Sequence, residues 1–99
     1  MTYVILSSKA GFYHTDPGDN VRPCETWDYL FCGQKKARFV IAELLRECKV
    51  LVTDETPPVV TTSVPSKFLP RFETIEAARH ELQALVRFGS MDTALEKLA

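Results

Sequence analysis

The sequence predicts an α+β domain: a mixed sheet of four or five strands with two main helices on one face, closed by a short C-terminal helix. Three observations lead there. Residues 27–53 read in turn as strand, amphipathic helix and strand; a β-branched run follows at 59–64; and a capped helical pattern begins at Thr74. The order strand, helix, strand, strand, helix follows most of a split βαβ unit. The expected architecture is therefore a sandwich of the ferredoxin-like type, with the N-terminal strand filling the place of the missing last one.

Tyr3, Val4, Ile5 and Leu6 make a first strand, which Ser7, Ser8 and Lys9 break. Residues 11–15 suggest a second short strand, and Asp16, Pro17, Gly18, Asp19 and Asn20 are dense in turn formers and read as an exposed loop. Residues 21–26 lead into the next strand, where Pro23 marks an edge or an entry bend. In that strand Trp27, Tyr29 and Phe31 alternate with Asp28, Leu30 and Cys32, the period of two that an extended chain imposes.

Gly33 makes a turn. Beyond it Ala37, Val40, Ile41, Leu44, Leu45 and Cys48 recur at spacings of three and four, with Arg38, Glu43, Arg46 and Glu47 largely off the stripe. This pattern predicts a crossover helix starting near Gln34. Val50, Leu51 and Val52 then read as a buried strand with a polar end, completing a right-handed βαβ unit.

Pro57 and Pro58 force an extended bend before the strand at 59–64, and Pro65 ends it. Residues 66–70 form a connector from which Phe68 and Leu69 are expected to dip into the core. Thr74 is placed as a helix N-cap, with Glu76 in the first turn and a stripe of Ile75, Ala78, Leu82 and Leu85. Gly89 supplies a stop, and Ser90 caps a last short helix through Leu98, with Asp92 early and Lys97 late as the dipole prefers.

Ninety-nine residues, 45% of them hydrophobic, suit one domain with its own core over residues 1–99. A formal charge of −1 argues against the strongly basic surface of a dedicated nucleic-acid binder, while leaving room for local basic patches. No run is long and apolar enough to span a bilayer, and the first residues lack a secretory leader, so a cytoplasmic protein without membrane contact is expected. Three cysteines without CxxC spacing fit a reducing compartment.

The first candidate site is the turn at residues 33–38. Gly33 and three cations, Lys35, Lys36 and Arg38, fall at the start of the predicted helix, where the dipole is already positive. Such crowding suits an anion: a phosphate, a carboxylate, an acidic surface or an RNA backbone. The plainer reading is solvated surface charge. Cys32 beside that helix start is a candidate reactive thiol, set against an inert, buried cysteine packed with Leu30.

Trp27, Tyr29 and Phe31 share one face, which is either a bare platform for a partner or core beneath helices. His14 lies where Asp16 can orient it, and His80 falls off the apolar stripe of its helix. Cys32 and Cys48 are too far apart along the predicted helix to share a metal, and Cys24 with Cys32 could meet one only with His14 or a carboxylate folded over it, so neither metal nor cofactor is expected.

These features point first to a small non-enzymatic accessory or protein-interaction module, with a homodimer as one form it can take. A binder of a small anion or RNA at residues 33–38 is the second reading, and a thiol protein working through Cys32 the third.

Overall fold

The computed structural model describes residues 1–87 and 93–98. It is mainly β, with eight strands in two antiparallel sheets and, among the described residues, one α-helix. The strands are β1 (Tyr3–Ser8), β2 (Tyr13–Asp16), β3 (Val21–Phe31), β4 (Gln34–Leu44), β5 (Lys49–Asp54), β6 (Val60–Pro65), β7 (Arg71–Phe72) and β8 (Thr93–Lys97). A single 3₁₀ turn at Ser66–Phe68 precedes β7, and α1 spans Ile75–Arg87. The two-helix sandwich with a mixed sheet is therefore wrong.

The error sits in β4. Residues 34–44, expected as a crossover helix, form a strand paired antiparallel with β3 through a two-residue hairpin at Cys32 and Gly33. Both turn residues have positive φ, 52° and 76°, the pattern of the type I′ turn whose twist matches that of paired strands.

The five-stranded sheet runs β7-β1-β4-β3-β8, which makes β4 its central strand. On one face Ile41 packs with Ala78 and Leu82 of α1, joined by Tyr3, Ile5, Trp27, Phe39 and Leu95. On the other face Val4, Leu6, Val21 and Ala42 pack with Val50, and with Val64 of the three-stranded sheet β2-β5-β6. Successive residues of β4 thus feed two different cores. A strand covered on both faces carries apolar residues without alternation, and its run mimics a helical stripe.

The C-terminal helix is also corrected. Thr93–Lys97 is strand β8, in register with β3 from Trp27 opposite Lys97 to Phe31 opposite Thr93. Pairing with β3 and burial of Leu95 override helix-forming side chains such as Ala94, Leu95, Glu96 and Lys97. Gly89, Ser90 and Asp92, assigned to a stop and a cap, lie outside the described residues.

The helix expected after Thr74 forms as α1, and Thr74 Oγ1 accepts a hydrogen bond from the Ala77 amide at 3.1 Å. Ala78 and Leu82 are buried, whereas Leu85 is 50% exposed and outside that core. Leu69 packs into the core beneath the small sheet, but Phe68 is 71% exposed, against the expectation that both dip inward. Pro23 lies in β3 just before a bulge at Cys24, on a stretch that β8 does not reach, so its missing N–H breaks no ladder on that side.

Candidate functional site

Lys35, Lys36 and Arg38 lie at the start of β4, so no helix dipole acts on them and the anion site expected at a helix start loses that part of its rationale. Another device brings the three cations together. Tyr29 pairs with Ala37 and Leu30 with Lys35, so Lys36 is the extra residue of a β-bulge. In a regular strand Lys35 and Arg38 would point to opposite faces. The bulge shifts the phase by one and brings both to Asp28, Arg38 Nε at 2.9 Å and Lys35 Nζ at 3.7 Å from Oδ1. Asp28 is buried, and its hydrogen bond holds the Arg38 guanidinium above its ordinary pKa.

All three cations line a cleft of about 260 Å³ closed from the other side by Ser8, Ala10, Tyr13, His14 and Glu55. His14 therefore joins the basic cluster, which nothing in the linear sequence announced. Its Nδ1 lies 3.0 Å from Glu55 Oε1, and Gly11 N donates to Glu55 Oε2 at 3.0 Å. These two bonds lower the Glu55 pKa, that from His14 first. Asp16, the expected partner of His14, instead accepts from the Gly18 amide at 3.0 Å. Tyr13 is held by a hydroxyl contact of 3.1 Å with Ser7 Oγ.

Gly33 and Cys32 stand outside the cleft, as the two residues of the β3–β4 turn. Cys32 is exposed, and no helix N-terminus adjoins it. Cys48 lies beyond the far end of β4, so Cys32 and Cys48 are a full strand apart. Among the described residues no group of three or more His, Cys, Asp or Glu side chains is placed to hold a metal.

Trp27, Tyr29 and Phe31 are not a bare platform. Trp27 packs in the core beneath α1 and its Nε1 donates to Glu25 Oε1 at 3.0 Å. Tyr29 is half-buried opposite Leu95 of β8, and Phe31, at the hairpin end, is 38% exposed. His80 is exposed on α1.

A second feature lies on the small sheet. Its edge strand β6 is exposed from Val60 to Ser63 and contains no ionisable residue. The other sheet edges among the described residues are guarded: β7 is two residues long, β8 carries Glu96 and Lys97, and β2 carries His14 and Asp16. Across the small sheet, from Tyr13 of β2 through Val52 and Asp54 of β5 to Val60 and Thr62 of β6, runs an open trough of about 610 Å³. The absence of any charge across residues 56–66 was legible in the sequence and is the signal that marks this edge.

No protein-family model matches the chain, and no curated protein or solved structure is significantly similar to it. No helix among the described residues is long and apolar enough to cross a membrane.

Proposed function

We propose that this domain is a small accessory module for protein–protein interaction, and that it takes an extended segment of a second copy of the chain onto β6 by strand addition. The observation that carries this reading is the uncharged, exposed edge of β6, where the other edges among the described residues are short or charged.

The hydrogen-bond pattern supports it. Ser66 N donates to Cys48 O at 2.7 Å, next to the pair Pro65 and Lys49. Antiparallel alternation then makes Val64, Thr62 and Val60 the residues bonded to β5, and turns the backbone groups of Thr61 and Ser63 outward. Pro65 falls on an outward position, where its missing N–H removes no bond to β5. Exposed Val59 and Val60 offer apolar surface at the same edge.

The test uses a second copy of the chain as the partner. Sedimentation velocity over a concentration series is expected to show reversible dimers of the wild type. The double variant Thr61→Lys, Ser63→Lys is expected to remain monomeric while keeping its circular dichroism spectrum, because both side chains lie on exposed positions. A wild type that stays monomeric up to millimolar concentration, or a double variant that associates as well as the wild type, overturns the reading.

A further inference from the structure

We propose that the cleft between β2 and the start of β4 binds a small oxyanion, a carboxylate or phosphate group, with Lys36 as its principal cation and Arg38 and His14 beside it. The site is separate from the β6 edge and does not depend on it.

The charges do not cancel. Arg38 and Lys35 share the one buried carboxylate of Asp28, and His14 is paired with Glu55. Lys36 Nζ instead meets a neutral acceptor, Gln34 Oε1 at 3.3 Å. Three fixed cations against two carboxylates leave one positive charge in excess, and the bulge places it at the cleft wall.

The other groups suit the same ligand. Glu55 occupies Nδ1 of His14, which leaves Nε2 as the ring nitrogen for a bound group, a donor to an oxyanion only when the ring carries both protons. Tyr13, Ala10 and Ala37 supply apolar wall for a short organic stem. A volume of about 260 Å³ falls below the common range for drug-sized ligands, roughly 300–1,000 Å³, which points to a compact molecule bearing one anionic group.

The experiment is a titration of the isotopically labelled full chain with inorganic phosphate and, separately, acetate, followed by amide chemical shifts against sodium chloride at matched ionic strength. Saturable shifts confined to residues 13–14 and 35–38 are expected. Lys36→Gln should weaken binding about tenfold, the equivalent of one charge-assisted hydrogen bond, while Lys67→Gln on the far connector leaves it unchanged. Both exposed variants are checked for fold by their spectra. Shifts that do not saturate or are matched by chloride, or a Lys36→Gln variant that binds like the wild type, overturn the proposal. So does tighter binding of a single-stranded RNA oligonucleotide with shifts extending beyond the cleft, which would assign the cations to a nucleic-acid backbone instead.

Discussion

Arg79 on α1 grips both carboxylate oxygens of Glu25 on β3, its Nε lying 3.0 Å from each. Glu25 is 5% exposed, and Trp27 Nε1 also donates to it, so one acid fastens the helix to the sheet and orients the largest aromatic of that core. The Arg79 hydrogen bond holds the Glu25 pKa down from 4.5 to about 2 against the opposing effect of burial, aided by Trp27 and by the charges of Arg79 and Lys97.

A depressed carboxylate pKa stabilises the fold fully above the unfolded value of 4.5, and the contribution fades as the pH falls from there toward 2. Glu25→Gln should therefore cost roughly 2 kcal/mol at pH 7, the scale of a hydrogen bond to a charged group. The difference between variant and wild type should shrink on acidification across that window. Urea denaturation at a series of pH values measures both; a difference independent of pH would show that the carboxylate charge is not what matters.

The hairpin turn gives a second expectation. Gly33 sits at φ +76° with nothing within 4 Å of where a Cβ would stand, so any penalty there comes from the backbone alone. Gly33→Ala should destabilise by about 1 kcal/mol and Gly33→Asn by distinctly less, because asparagine tolerates the left-handed region. Equal losses in thermal unfolding would argue against a type I′ turn.

The two cores should respond independently. Leu82 belongs to the cluster under α1 and Val50 to the cluster under the small sheet. Leu82→Ala should cost about 3 kcal/mol and Val50→Ala about 2 kcal/mol. With the sheet between them, the losses should add to within about 0.5 kcal/mol. Denaturant titrations with an osmolyte present keep the double variant measurable, and a large coupling energy would mean that the two residues share one cavity.

Ser66 is 1% exposed and its Oγ accepts from the Cys48 amide at 3.0 Å, while its own amide donates to Cys48 O. Ser66→Ala leaves that amide without its acceptor and should cost roughly 1–2 kcal/mol. Faster hydrogen exchange at Cys48 than in the wild type is the local readout.

Much of the chain could be read from the residues alone. Tyr3 to Leu6, Trp27 to Phe31, Val50 to Val52 and all but the first residue of the run at 59–64 fall in strands, and the Thr74 cap with Ala78 and Leu82 marks α1. The reading failed where tertiary context reverses a local pattern. Residues 37–48 satisfied the helical spacing, yet Phe39 and Ala42 stood off that stripe, and both are core residues of the two-sided strand that forms. The turn at Cys32 and Gly33 lacks the Asn-Gly that announces a type I′ hairpin, so no local signal marks the extended alternative. For the candidate site, the cations were visible as a cluster but their company was not. His14 and Glu55 reach the cleft only through the pairing of β2 with β5, a long-range contact with no sequence signature.

The position of β4 has a kinetic corollary. Helix-side and small-sheet-side packing both terminate on the same eleven residues, so neither layer can peel away without stripping one wall from the strand the other leans on. Amides near Ile41 and Ala42 should then exchange with solvent only when the entire molecule opens, as the slowest and most synchronous set in the chain.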